Sequence, residues 1–474
     1  MPTLIAVPNP APNGDGSELT PYGAQEAIDK ARPGDTVLLR GIFNEPIRIK
    51  ADYHPDAPLT IADHEDGAIF DGQFTWPRKP ANGAFLKNPK TGDIAHYVPM
   101  VAVQGSHVIV RGLKVRNSLG RGIGVGKANE IIEGVTIQDC FTDWSRGAGI
   151  NVNDTTDLRI ISCVVQHSGC FMQERRPSSQ TNWPVACAVV RCEDVTIDGV
   201  ISTDNWGEGL AVGRGTRYAT VINGVFAHNM ALQLYFNRCT DSAAFYNLIY
   251  GTDADASAGL VVNNEDMKEP PCRNLVIAHN IAVGNQYNYA IWGNAAGNDG
   301  SEDVLFAFNT SALGKKAAWR MLRNQNKNIR YIGNLTYQPD GNFQDGNEPP
   351  ADWHLERNAW SAPRPPAYLR GDGDVYDVEL INPVWPSPLL GATPGHYAPA
   401  ADYAVGPLGG IPARDYFGND RKTWTAGAVE YQSTQPPQPA DEIVRLLVST
   451  QMSPADAAAL RALLAGKSYT VELA

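Results

Sequence analysis

A short polar residue, most often asparagine, recurs in front of an apolar triplet from the middle of the chain to residue 334. The positions lie 23 to 36 residues apart, as in Asn-Leu-Ile-Tyr at 247–250 and Asn-Leu-Thr-Tyr at 334–337. They are Asp139, Ser162, Asp198, Asn223, Asn247, Asn280, Asn309 and Asn334. A repeat of this length indicates a solenoid of stacked coils. Asparagines stacked at one turn would hydrogen-bond along the column and satisfy the bent backbone there.

A second marker in each repeat is a short strand about ten residues further on, with alternate apolar residues that share one buried face. The residues predicted to stack on that face are Ile123, Ile150, Cys187, Leu210, Leu234, Leu260 and Ile291. No helical pattern lies between the strands, which argues against βαβ units. The sequence therefore predicts an all-β fold, a single-stranded right-handed parallel β-helix.

The two ends of the chain differ in composition from the repeat. Residues 1–35 are predicted to form an N-terminal segment with a cap helix, and residues 36–432 the β-helix. The Pro-rich stretch 433–440 is predicted to be a stiff linker. Residues 441–474 follow as a short helical appendage, with Ser453 as an N-cap and Pro454 in the first turn.

Composition excludes some function classes. A net charge of −12 argues against general nucleic-acid binding, and no apolar run is long enough to cross a membrane. The N-terminus has no recognisable signal peptide. Seven cysteines without a pairing pattern are typical of a reducing compartment, although a bond between Cys170 and Cys192 stays open. No metal-ligand spacing is present, so no metal site is predicted.

Both ends of the predicted β-helix resemble a known superfamily. Residues 24–40, Pro-Ile-Arg-Ile-Lys at 46–50 and Pro-Leu-Thr-Ile at 58–61 resemble the opening of the pectate-lyase-like right-handed β-helix superfamily. They are most similar to chondroitinase B and alginate lyases. Asp415, Arg421 and Gly-Ala-Val-Glu-Tyr at 427–431 are similar to the end of many uncharacterised bacterial β-helix proteins. The resemblance implies the fold and a bias towards polysaccharides, but no single reaction.

The catalytic motifs of the epimerases and polygalacturonases in this superfamily are missing, so candidate sites must come from the stacking itself. In register, the positions just past the second strands are Lys127, Asp154, Arg191, Arg214, Arg238 and Asn264. The three arginines would lie on neighbouring coils, about 4.8 Å apart. They could form a groove for an acidic glycan, because guanidinium groups suit carboxylates and sulfates. Alternatively they fan outward and pair with Asp154 or Glu193.

Beside this row lies a mixed cluster with catalytic potential. A β-elimination lyase needs a cation and a proton carrier, which Arg214 or Arg238 with Tyr235 could supply. A hydrolase needs two carboxylates, for which Glu208 and Glu265 are the nearest pair. Acidic turn residues are also often merely solvated.

Four further residues are predicted to bind substrate from longer turns. Arg175, Arg176 and Trp183 belong to an insertion that would form a wall of any cleft, and they suit acid recognition and sugar stacking. Lys268 lies in the turn that follows Glu265. Arg191 joins them as the substrate-binding member of the arginine row.

Two functions remain open. The first is a surface-displayed structural or adhesive protein, plausibly a phage virion component such as a spike or capsid decoration, which presents a glycan-binding face. Its location would be the virion or the extracellular space, and it would assemble as a homotrimer or in a virion through the C-terminal helices. The second is a polysaccharide lyase or hydrolase acting on an acidic glycan, with a lyase favoured. No cofactor is predicted, except Ca²⁺ if the chain is a lyase.

Overall fold

A computed structural model describes residues 2–73, 98–170, 184–251, 258–265, 269–291, 300–322, 325–347, 349, 352–384, 386 and 392–431. Within the chain, residues 1–431 form one compact unit. The predicted linker 433–440 and the predicted helices in 441–474 lie outside the described residues.

The described unit is a parallel β-helix, and the predicted fold is confirmed. Each regular coil contributes one strand to an 11-stranded sheet, called sheet 1 here, and two strands to a continuous 24-stranded sheet. The second sheet bends into a long face and a short face, so the coil has three sides. In both sheets the paired strands run parallel. An example from sheet 1 is the pair Leu232–Asn237 and Ala258–Asn263.

The strands have the following bounds. Sheet 1 consists of Ile47–Ile49, Pro99–Val103, Arg121–Val125, Ile150–Asn153, Val185–Val190, Glu208–Gly213, Leu232–Asn237, Ala258–Asn263, Tyr287–Ile291, Ala317–Met321 and Gln344–Gly346. The long face consists of Thr3–Ala6, Thr36–Phe43, Leu59–Asp71, Val108–Arg111, Ile132–Gln138, Thr155–Ile161, Glu193–Asp198, Arg217–Ile222, Thr240–Phe245, Arg273–Ala278, Glu302–Ala307, Lys327–Ile332 and His354–Glu356. The short face consists of Lys114–Arg116, Phe141–Asp143, Val164–Gln166, Ile201–Thr203, Val225–Ala227, Leu248–Tyr250, Ile281–Val283, Thr310–Ala312, Leu335–Tyr337, Ala359–Trp360 and Val375–Tyr376.

The inward column of sheet 1 follows the predicted alternation for most of its length. Ile123, Ile150, Cys187, Leu210, Leu234 and Leu260 are in register and buried in the core. For the next coil, the sequence predicted Ile291 beside Leu260, and this is wrong by two residues. Tyr289 pairs with Leu260, and Ile291 pairs with Val262. Both residues face the core, so the alternation alone could not distinguish the two registers.

The asparagine column lies inside the corner between the long and short faces. The Nδ2 of Asn247 donates to the Oδ1 of Asn280 at 2.9 Å, and the same bond links each later pair at 3.0–3.1 Å. The ladder is Asn247, Asn280, Asn309, Asn334 and Asn358, the last of which the repeat analysis missed. Each amide also donates to a backbone carbonyl of another coil, as from Asn309 to Ile277 at 2.8 Å.

The earlier members assigned to this column lie elsewhere. Asp139, Ser162 and Asn223 occupy the left-handed corner residue, with φ of 52°, 49° and 56°, one position before the ladder site. Asp198 ends its long-face strand. In those coils the ladder site is filled by small or apolar residues, namely Cys140, Cys163, Val200 and Gly224.

Segments outside the regular coils pack on the unit. The helix Ala24–Lys30 buries Ala27 and Ile28 in the core, and the short 3₁₀ helix Ala367–Leu369 buries Leu369 in the same core. Residues from Val378 to Val429, with the 3₁₀ helix Pro394–Tyr397 among them, pack on the outer surfaces of the long and short faces. Among the described residues, no strand of sheet 1 contributes to these two outer apolar clusters.

All seven cysteines are buried and free, so Cys170 and Cys192 do not pair. Each thiol is held inside the stack, as where the Sγ of Cys140 donates to the Gln138 carbonyl at 3.3 Å. Within the described ranges, no helix has the length and hydropathy needed to cross a membrane.

Candidate glycan-binding groove and carboxylate cluster

The outward column of sheet 1 forms a floor of mostly small side chains. In register, the first seven residues of the column are Arg48, Ala102, Gly124, Asn151, Ala188, Ala211 and Tyr235. Seven neighbouring strands give six steps of about 4.8 Å, so the floor is about 29 Å long. Arg48, Ala102 and Gly124 belong to the lining of a groove, and Asn151, Ala188, Ala211 and Tyr235 lie beyond that lining.

A groove of about 460 Å³ lies over the N-terminal part of this floor. Its described lining contains four cations, Arg48, Arg121, Lys127 and Arg191, and one carboxylate, Asp154. Arg191 holds Asp154 in a bidentate pair at 2.6 and 2.7 Å, which raises the pKa of the guanidinium. Positive charge therefore exceeds negative charge among these lining residues, in a protein of net charge −12.

The backbone register of the arginine row is the predicted one. Asn153, Val190, Gly213, Asn237 and Asn263 pair in succession at the ends of their strands, so the residues that follow them also stack. Each of the stacked residues from Asp154 to Arg238 has a φ between 51° and 54°. This left-handed conformation ends the strand and turns the chain towards the long face.

The three guanidinium groups do not form one row, however. Arg191 turns to Asp154, as the alternative interpretation expected, whereas Glu193 pairs with Arg217 at 2.7 Å. Arg238 is 1 % exposed and donates to the Glu269 carbonyl. Like charges on neighbouring coils repel, and Arg191 and Arg238 turn to different acceptors.

Arg214 is exposed, as Arg191 is, and no described residue forms a hydrogen bond or ion pair with its side chain. The positive charge of Arg214 lowers the pKa of the Glu208 carboxyl, against the larger effect of burial, which raises it.

A second cavity of about 450 Å³ lies on the turn side of the row, between sheet 1 and the long face. Its described charged residues are Asp154, Arg191, Glu193, Arg217, Arg238 and Glu269. Three cations balance three anions there. This cavity therefore lacks the positive excess of the groove on sheet 1.

The predicted catalytic residues Glu208, Tyr235 and Glu265 do come together. Burial raises the pKa of the Glu208 carboxyl well above its usual value, the charge of Glu265 adds to this, and Arg214 opposes it. Glu208 is 8 % exposed, and no described residue hydrogen-bonds its carboxyl. Burial also raises the pKa of Tyr235, together with the negative charges of Glu265 and Glu208.

Two buried asparagines position this cluster. The Nδ2 of Asn263 donates to the Tyr235 hydroxyl oxygen at 3.1 Å, and that hydroxyl donates to the Glu265 carboxylate. The Oδ1 of Asn237 accepts from the Glu265 backbone N–H at 3.0 Å. Glu265 is the exposed member of the cluster. The arrangement thus combines a buried carboxyl, an exposed carboxylate and a fixed phenol at one end of the floor.

Arg175, Arg176, Trp183 and Lys268 lie outside the described residues, so their substrate-binding roles stay predictions. Sequence reasoning missed Arg48 and Arg121 as groove residues. The first lies at the start of the solenoid, before the repeat becomes regular, and the second opens its strand rather than following it. Among the described residues, no group of three or more His, Cys, Asp or Glu side chains is placed to hold a metal ion.

The fold defines a class: the chain is a parallel β-helix protein. It is similar to the crystal structure of the pectate lyase Pel9A, at 13% identity and a TM-score of 0.50, over 91% of this chain and 96% of the other. It is also similar to XylC in complex with xylose, at 9% identity and a TM-score of 0.54, over 91% and 98%. No family model matches the sequence, and no curated protein does. At these identities the likeness defines the fold alone.

Proposed function

We propose that the groove on the outer face of sheet 1 binds an acidic polysaccharide laid along the axis of the solenoid. The observation that carries the proposal is that the groove lining has more cations than anions and lies above small side chains. The cations are Arg48, Arg121, Lys127 and Arg191, and the anion is Asp154. Planar guanidinium groups bind carboxylates and sulfates through paired hydrogen bonds.

One of the two similar structures supports an acidic ligand and the other supports a sugar ligand. Pel9A is a pectate lyase by name, and XylC was solved with xylose. A groove of this kind serves an adhesive protein as well as an enzyme. The virion location, the trimer and the requirement for Ca²⁺ stay predictions.

Binding is tested with polygalacturonate, alginate and chondroitin sulfate, against neutral dextran, by isothermal titration calorimetry. We expect the acidic polymers alone to bind, with an affinity that falls as salt rises because the attraction is screened. Arg48→Ala combined with Lys127→Ala should weaken binding at least tenfold, which corresponds to about 1.4 kcal/mol.

Arg159→Ala is the matched control. Arg159 lies on the long face, and its side chain is 59 % exposed. The Arg159→Ala variant should therefore bind the acidic polymers as wild type does. Equal binding of dextran, or unchanged binding by the double variant, would contradict the proposal.

A further inference from the structure

The cluster of Glu208, Tyr235 and Glu265 lies at the far end of the floor that the groove occupies. Tyr235 is the seventh residue of the outward column that begins at Arg48, and the column continues beyond it through Val261, Ala290, Arg320 and Asp345. A chain long enough to fill the groove and continue along the floor therefore reaches this cluster. No other group of interacting carboxyls adjoins the floor among the described residues.

We propose that this cluster hydrolyses the bound glycan, with Glu208 as the general acid and Glu265 as the general base. The inference rests on the proposed function, because it takes the polysaccharide in the groove as its substrate. Two observations support it. The carboxyl of Glu208 is about nine-tenths buried, and no described residue hydrogen-bonds it. Beside it, the exposed carboxylate of Glu265 is held in place by its backbone bond to Asn237 and by the Tyr235 hydroxyl. A buried carboxyl without such a partner is costly unless a ligand uses it.

The two carboxyls are suited to different steps. Burial and the charge of Glu265 hold the pKa of Glu208 well above its usual value, so Glu208 keeps its proton under conditions in which an exposed glutamate loses it. Glu208 gives that proton to the glycosidic oxygen as the bond from this oxygen to the anomeric carbon breaks. A water oxygen bonds to the anomeric carbon, and Glu265 takes the proton that this water releases. The products are two shorter glycans, one with a new reducing end.

The predicted β-elimination fits this cluster less well. Tyr235 would have to remove a proton from the sugar, but burial and two carboxylates raise the pKa of the phenol well above its usual value. Arg238, one of the two cations proposed for that reaction, is buried against the Glu269 carbonyl. Tyr235 instead donates to Glu265 and positions it.

The test incubates a polymer that binds the groove with wild type and with Glu208→Gln, and follows reducing ends together with the ultraviolet absorbance of unsaturated sugars. We expect reducing ends without unsaturated products. Glu208→Gln should lower the rate on the order of 10²- to 10⁴-fold. Its affinity for the polymer should stay within about threefold of wild type, since a glutamine keeps the shape of the site.

The dependence on pH separates a catalytic role from a structural one. The charged groups that act on Glu208 are Glu265 and Arg214, with Tyr235 beside them. The rate should fall as pH rises through the raised pKa of Glu208, and Glu208→Gln should lose this limb. Glu302→Gln, at a half-exposed glutamate on the long face, is the control and should cut as wild type does.

The outcomes separate the two proposals. A polymer that binds the groove but yields no reducing ends overturns hydrolysis and leaves the binding proposal standing. Unsaturated products overturn hydrolysis in favour of β-elimination. Failure of all acidic polymers to bind overturns the proposed function, and this inference with it.

Discussion

Each interior asparagine of the ladder makes at least four side-chain hydrogen bonds within the stack. The Nδ2 of Asn309 donates to the Ile277 carbonyl at 2.8 Å and to the Oδ1 of Asn334 at 3.0 Å. Its Oδ1 accepts from the backbone N–H and the Nδ2 of Asn280, both at 3.0 Å. All three asparagines are buried, so no water replaces these bonds.

Asn309→Ala is therefore expected to lower the free energy of unfolding by about 3 kcal/mol, since it leaves buried donors and acceptors unpaired. Asn223→Ala is the matched control. The side-chain amide of Asn223 is exposed at the corner and donates to Asp198 at 2.9 Å, but its backbone is left-handed, so its replacement by alanine should cost about 1 kcal/mol. Denaturant unfolding of both variants measures the difference. Similar losses in the two variants would contradict a role for the ladder.

The sequence predicted this corner but mixed two of its positions, for a physical reason. Asparagine and aspartate are favoured in the left-handed conformation, which the corner residue needs, and asparagine is also favoured one residue later, where its amide bridges coils. The polar residue alone therefore does not say which position it fills. Asn223 and Asn247 look equivalent in the sequence, yet one is at the surface and the other is in the core.

The candidate site shows a similar division. Stacking predicted that Arg191, Arg214 and Arg238 follow their strands in register, because backbone pairing depends on strand pattern. It could not predict where each guanidinium points, because that depends on acceptors such as Asp154 and the Glu269 carbonyl.

At the scale of elements, the C-terminal segment is held on the solenoid by a buried charged network. The guanidinium of Arg421 donates to the Gly427 carbonyl at 2.6 Å, to Glu430 at 3.3 Å and to the Nδ1 of His279 at 3.2 Å. The Nε2–H of His279 therefore donates to the Pro412 carbonyl at 3.0 Å. His279 is in the solenoid and the other residues are in the segment, so the imidazole links the two elements.

This link requires a neutral imidazole. Burial, and then the charge of Arg421, lower the pKa of His279 to about 3. The unfolded chain binds this proton below about pH 6.5, so the stability from the neutral ring is full above that pH and is lost as pH falls towards 3. By pH 5 the loss is about 2 kcal/mol.

We therefore expect wild type to lose about 2 kcal/mol more than His279→Asn between pH 7 and pH 5, measured by denaturant unfolding at each pH. His54→Asn is the control, because the His54 side chain is 66 % exposed, and it should keep the wild-type slope. Equal slopes for wild type and His279→Asn would mean that the network does not depend on the neutral ring.

At the scale of the whole molecule, scaffold and proposed function lie on different sides of the coil. The asparagine ladder is in the corner between the long and short faces, opposite sheet 1. The C-terminal segment packs on those same two faces, where it buries residues such as Leu248, Leu305 and Phe308. Neither element occupies the floor from Arg48 to Ala211, so the groove is left on the side that the scaffold does not use.

The reactivity of the seven cysteine thiols measures whether the stacked coils stay closed. They are buried between residues 140 and 272, and burial raises the pKa of thiols such as Cys140 and Cys187, and that of Cys192 to about 12. Buried thiols of raised pKa react slowly, because the thiolate is the reactive form. We expect less than one thiol per chain to react with Ellman's reagent in the folded protein, and seven to react in guanidinium without reductant. Fewer than seven in guanidinium would show a disulfide, and fast reaction of the folded protein would show that the coils open locally rather than as one unit.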